Sequence, residues 1–296
     1  MAGAAGRSGE RRHALEWRRA AVGAERRGTI WRRTWTATLV MGIVNVTPDS
    51  FSDGGTSLRR DDAVGAARAA WRAGAHVVDV GGASTRPGAE DVPVAVEADR
   101  VVGVVRDLAA DAGGLISIDT TSPEVAVAAL EAGADVVNDV TGLRDPDMRT
   151  VVAAAGVPAV VMHMQGSPRT MQHDPRYHDV VAEVGAWLRD AAEAADEAGV
   201  SSVLLDPGFG FGKLPEHNRA LLLATPALAA LGRPVLVGAS RKGTLGVVTG
   251  EVVPEHRDPA SLAVHLEAAR LGAAMVRVHD VAAHVQALAV RRWIDG

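Results

Sequence analysis

The sequence predicts an α/β fold, a single (β/α)8 TIM barrel, on three observations. From residue 37 onward, short apolar or β-branched runs alternate with alanine-rich stretches of helical spacing. Runs that are apolar on both faces imply parallel strands with helices outside. There are eight such runs in about 260 residues, the size of this barrel. Polar residues stand at the C-terminal tips of the runs: Asn45, Asp79, Asp119, Asn138 with Asp139, His163, Asp206, Ser240, and Arg277 with His279. In a closed barrel these tips form one ring around a single mouth, where such folds place their sites. An open doubly wound sheet is the alternative, and it would spread the same residues along an edge.

The strand-like runs are Thr38–Val46, His76–Gly81, Leu115–Asp119, Asp135–Asp139, Ala159–His163, Ser202–Asp206, Pro234–Gly238 and Ala274–His279. Helical spacing marks Asp62–Ala73, Glu97–Ala110, Ser122–Ala132, Val180–Ala198 and Pro259–Leu271. Ser122-Pro123-Glu124 is a helix start, with a capping serine and a proline at the first helical position. Gly74, Gly133, Gly199 and Gly272 fall just past helix ends, where left-handed C-caps belong. The first strand runs into a long loop, Asn45 to Gly55, rich in Pro, Gly, Ser and Asp with Phe51 inside it, a composition suited to closing over a ligand. The second leads into Gly81-Gly-Ala-Ser-Thr85-Arg86-Pro87-Gly88, whose backbone N–H groups and arginine can meet a phosphate.

At 296 residues and 47% hydrophobic content the chain can bury a large core. A net charge of −5 lacks the basic footprint of general nucleic-acid binding. The absence of cysteine excludes disulfides and thiolate metal sites, and fits a reducing compartment such as the cytoplasm. No apolar run approaches the ~20 residues of a membrane span. Residues 1–33 carry nine arginines against three glutamates. They lack a secretory apolar segment and are read as a disordered basic extension over 1–34, an amphipathic arm being the alternative. Residues 35–296 form the barrel domain.

Only two of the 31 basic residues are lysines, Lys213 and Lys242. Both close polar, glycine-rich loops after apolar runs, Asp206-Pro-Gly-Phe-Gly-Phe-Gly-Lys213 and Gly238-Ala-Ser-Arg-Lys242. Lysine is a compact, rotatable donor where arginine is a broad fork, so both loops are candidate sites.

Taken together and in order, Met41–Gly55, Asp79–Gly88, Ile118–Thr120, Val137–Asp139, Met162–Gly166, Asp206–Lys213, Ser240–Lys242 and Arg277–Asp280 closely resemble the dihydropteroate synthases of folate biosynthesis. The resemblance covers residues 37–295. It implies a transferase joining p-aminobenzoate to 6-hydroxymethyl-7,8-dihydropterin diphosphate, with release of diphosphate. By resemblance Asp119, Asn138 and Asp206 recognise the pterin, with Lys242 donating to its carbonyl and ring nitrogen. Arg277 and His279 take the diphosphate, and Thr85 contacts the diphosphate or the aminobenzoate. Asp119, Lys242, Arg277 and His279 are the implied catalytic set. Asn45 matches the family's Mg²⁺ contact. Phe51, Asp53, Arg86 and Pro87 lie on the closing loops, and Phe211, Ser240 and Arg241 shape the aminobenzoate pocket.

The family's reaction passes through a pterin methylene cation that the aniline nitrogen attacks, so no strong general base is required. The loops exclude water from that cation. Sulfonamide sensitivity and a homodimer are implied by resemblance alone. One departure is Ala83, where relatives usually carry Glu. Two other readings share the fold: a non-catalytic pterin-binding paralogue, and a pterin-dependent methyltransferase. The first would lose the loop or Ser240-Arg241-Lys242 residues, and the second has no use for the diphosphate residues Asn45, Arg277 and His279. All of these are present.

Overall fold

The computed structural model describes residues 37–46, 56–84, 88–89, 91–111 and 113–295. Eight strands alternate with helices: β1 (Leu39–Asn45), α1 (Thr56–Arg72), β2 (Val77–Gly81), α2 (Val94–Ala109), β3 (Leu115–Asp119), α3 (Pro123–Ala132), β4 (Val136–Asp139), α4 (Pro146–Ala155), β5 (Ala159–Met162), α5 (Val180–Glu197) and β6 (Val203–Asp206). Then come α6 (Pro215–Leu223), the short α7 (Thr225–Ala229), β7 (Leu236–Val237), α8 (Gly243–Thr249), a 3₁₀ turn over Pro254–Arg257, α9 (Asp258–Arg270), β8 (Met275–Val278) and α10 (Val281–Asp295).

The strands are parallel and neighbour one another in the order β6-β5-β4-β3-β2-β1-β8-β7. The two ends of that row meet: Leu205 bridges Val235 in parallel, and the Leu205 N–H donates to the Pro234 carbonyl at 2.9 Å. The sheet is therefore a barrel, and the open-sheet alternative is excluded.

Period-2 alternation builds two apolar layers. Leu39, Met41, Val77, Leu115, Val160, Leu204, Leu236 and Met275 form a separate cluster that fills the barrel. Their neighbours, among them Val40, Val78, Val80, Ile116, Ile118, Val161, Leu205 and Val276, pack outward with Val101, Leu108, Val125, Val184 and Leu188 of the helices. Each such buried aliphatic contributes about 1.5–3 kcal/mol. Above the inner cluster the inward positions turn polar, and there the mouth begins.

The local signals act as expected. Ser122 caps α3, its hydroxyl accepting the Val125 N–H at 3.3 Å, and Gly133 ends that helix at φ 116°. Differences lie at the edges. The helix expected from Asp62 begins at Thr56, six residues earlier, and β7 keeps only two of the five residues expected. Pro234 cannot donate to a ladder, and after Gly238 the chain turns into the site.

Candidate active site

Inward alternation places Asp79 on β2, Asp119 on β3, Asn138 on β4, Asp206 on β6 and Arg277 on β8, at successive points of one ring. Register explains the meeting: Gly81 lies opposite Asp119, Asp119 opposite Asn138, and Met162 opposite Asp206. A methyl added at Gly238 would lie 3.7 Å from Asp206 Oδ2 and 3.8 Å from Arg277 Cβ, so β6 and β8 face each other across β7.

Arg277 holds the centre. Its Nε donates to Asp79 Oδ2 at 2.6 Å and its Nη2 to Asp119 Oδ2 at 2.7 Å. Asp79 also accepts from Asn138 Nδ2 at 2.9 Å. Burial pushes the Asp119 carboxyl up to about 7, with Arg277 pulling the other way and Asp79 and Glu97 adding to the rise. Burial likewise raises Asp206, opposed by the Gly208 N–H and by Lys242. It would lower the Arg277 guanidinium, but Asp79 and Asp119 outweigh it and keep that group charged. Two acids and one cation out of water persist only because each has a partner.

The loop after β6 is fixed by hydrogen bonds. Asp206 Oδ1 accepts the Gly208 N–H at 2.7 Å. Gly208 has φ 70°, and a Cβ there would sit 1.9 Å from the His163 carbonyl oxygen, so only glycine fits. Lys213 is buried, and its ammonium meets His163 Nδ1 at 3.0 Å and the Phe211 carbonyl at 2.9 Å. Burial draws the Lys213 ammonium down to about 7, Asp206 opposing. Burial and then the Lys213 charge draw His163 down to about 3, so His163 stays neutral and accepts. Phe211 ends this loop in an apolar cluster with Val140, Met162, Met164 and Met171, and Lys242 Nζ stands 3.9 Å from its ring centroid.

Ser240 Oγ lies 2.9 Å from His279 Nδ1 and accepts the His279 backbone N–H at 3.1 Å. Arg241, at φ 58°, forks its Nε and Nη2 onto the two Asp258 oxygens, each at 2.7 Å. Asn45 is half-buried at the tip of β1, opposite Gly81. Phe51, Asp53, Thr85, Arg86 and Pro87 lie outside the described residues, as do residues 1–36. Next to Ala83 in the chain, a Cβ on Gly82 would lie 3.1 Å from Glu97 Cγ of α2; burial raises the Glu97 carboxyl against the opposing Thr120 hydroxyl, and its Oε1 has no hydrogen-bond partner.

Asp79 is the residue the sequence understated. It stands in the row of strand tips, but its place at the hub depends on a pairing 198 residues away in the chain. The signal that could find it is its inward parity: it lies two residues before Gly81, and Gly81 faces Asp119.

The pterin-binding enzyme family model matches residues 41–279. A Mycobacterium leprae dihydropteroate synthase is 50% identical over 260 residues, covering 85% of this chain and 91% of the relative. The chain belongs to the dihydropteroate synthase family. It is a transferase of folate synthesis by that membership. A solved Xanthomonas albilineans dihydropteroate synthase with 4-aminobenzoic acid matches at TM-score 0.84 and 48% identity, over 88% of this chain and 94% of that one. The same enzyme has been solved with 7,8-dihydropteroate, at TM-score 0.81 and 45% identity over 88% and 95% of the chains. A Yersinia pestis dihydropteroate synthase with a sulfonamide drug matches at TM-score 0.83 and 41% identity, over 88% and 95%.

Proposed function

We infer that this chain condenses p-aminobenzoate with 6-hydroxymethyl-7,8-dihydropterin diphosphate to give 7,8-dihydropteroate and diphosphate. The observation that carries it is the ring of Asp119, Asn138, Asp206 and Arg277, with Lys242 over Phe211, at one barrel mouth in a chain of this family. A pterin presents several N–H donors and one carbonyl, and buried acids, an amide and a lysine are the complementary set. The diphosphate carries the charge that Arg277 and His279 attract.

The C–O bond to diphosphate breaks first, taking its electron pair with the leaving group. The aniline nitrogen then forms the C–N bond and loses its proton. Arg277 stabilises charge developing on the leaving group. Phe211 and the methionines beside it give the aminobenzoate ring an apolar wall, and Ser240 fixes His279.

Asn45 would hold Mg²⁺. Among the described residues no three acids, histidines or cysteines are arranged to hold a metal ion, and one neutral oxygen suits a hard ion carried mainly by phosphate oxygens. That ion would supply charge neutralisation of the diphosphate. The loops bearing Phe51, Asp53, Thr85, Arg86 and Pro87 would complete the aminobenzoate pocket. We also assign the enzyme to the cytoplasm, where a cysteine-free chain is at home, and to a homodimer. Exposed Val247, Val248 and Val252, at 73%, 72% and 80%, offer the apolar surface for it.

The test is a coupled assay on the full chain with Mg²⁺. Diphosphate should appear only when the pterin diphosphate is supplied, dihydropteroate only when both substrates are present, and a sulfonamide should compete with aminobenzoate. No product with both substrates present would refute the assignment.

A further inference from the structure

Behind the β7 and β8 tips lie two histidines that the chemistry above does not use. His265 of α9 and His284 of α10 are each 1% exposed, with ring centroids 4.9 Å apart. The Ala239 backbone N–H donates to His265 Nε2 at 3.0 Å. His265 Nδ1 lies 2.8 Å from His284 Nε2, and His284 Nδ1 lies 2.6 Å from the Asp280 carbonyl oxygen.

The end groups settle where the protons are. An N–H at one end forces His265 Nε2 to accept, so the proton of a neutral His265 is on Nδ1. His284 Nε2 must then accept, which puts its proton on Nδ1, facing a carbonyl that can only accept. Every link is satisfied with both rings uncharged and all donors pointing one way, and such chains reinforce themselves.

The ends of this chain are what matter. Ala239 precedes Ser240, and its own carbonyl accepts the Lys242 N–H at 3.3 Å. Asp280 follows His279. Ser240 and His279 are already linked at the front of the site, so the two imidazoles form a second crosspiece behind them. Here β7 has only two residues of ladder, too few to fix the Ser240–Lys242 loop by sheet pairing alone. Two apolar side chains would fill the same space without the cost of burying polar rings.

We propose that His265 and His284 are positioning residues for the synthase reaction: an uncharged two-imidazole strut that sets the spacing between the Ser240–Lys242 loop and the Arg277–His279 strand tip. This rests on the assigned function, since its effect is on that reaction.

The test compares wild type, His265→Leu and His265→Gln, the glutamine being able to accept from Ala239 and donate to His284. Steady-state constants are taken well below the melting temperature of each variant, with active sites counted by titration. His265→Leu should lower kcat/KM per active site about tenfold, because misplacement near an ångström is costly, and His265→Gln should recover most of it. Unchanged constants per active site in His265→Leu, with only a lowered melting temperature, would overturn the proposal. Nitrogen-15 shifts of the wild type should show both rings protonated at Nδ1, and protonation at Nε2 in either ring would overturn it as well. An inactive wild type would refute the assigned function instead, and the ring protonation reads the strut without any turnover.

Discussion

At the scale of single residues, charge placement governs the site. Arg277 neutralises Asp79 and Asp119 together, so removing it leaves two carboxylates buried without a cation. Arg277→Met should cost about 3–5 kcal/mol in stability, and adding Asp79→Asn should cost less than the sum of the two changes. Denaturant midpoints of the three variants measure the coupling; additivity would show that the pair is not an energetic unit. His163 makes a separate claim about pH. Its folded-state pKa of about 3 lies below the ordinary value of 6.5, so below 6.5 the unfolded chain takes a proton that the native state refuses. The associated stability is present above pH 6.5 and is lost as pH falls toward 3, about 2 kcal/mol of it by pH 5. Between pH 7 and 5 wild type should lose that much more stability than His163→Gln. Equal losses would mean that His163 titrates while folded.

At the scale of elements, the segment from Asp206 to Lys213 is a loop with the order of a helix. Lys213 ties it to His163, Tyr177 donates to the Gly212 carbonyl at 2.9 Å, and Asn218 Oδ1 accepts the Gly210 N–H at 2.8 Å. The loop carries Phe211, so on the proposed function its looseness would be felt by the bound aminobenzoate. Lys213→Met should raise KM for aminobenzoate several-fold and change KM for the pterin diphosphate less; initial rates with each substrate varied will show it. Equal changes would mean that Lys213 supports the whole mouth. Much of this was legible in the sequence. Asp119, Asn138, Asp206 and Arg277 are polar residues at inward positions of otherwise apolar strands, and the scarcity of lysine pointed to both basic loops. The roles that the sequence hides depend on partners distant in the chain. The hub role of Asp79 needs β8 beside β1 and β1 beside β2, and a helical histidine such as His265 shows its purpose only beside His284.

At the scale of the whole molecule, the barrel is a row of eight strands closed by one bridge between Leu205 and Val235. Apolar surface remains outside it, on α8 and the turn that follows. If that face joins two copies, Val248→Glu should halve the mass measured by light scattering at micromolar concentration while leaving the helical circular dichroism intact. A mass unaffected by the change would place the interface elsewhere. A monomeric variant that folds tests whether a single barrel suffices for turnover.

The carboxylates around Arg277 also act as competitors. The guanidinium is engaged by Asp79 and Asp119, the counter-anions built into the strands beside it. On the proposed function, a diphosphate meeting Arg277 would gain only the difference between its own attraction and theirs. On that reading, release of the by-product would return the cation to the strand acids, which favours its discharge. If the proposed roles hold, the same strand acids would also limit product inhibition.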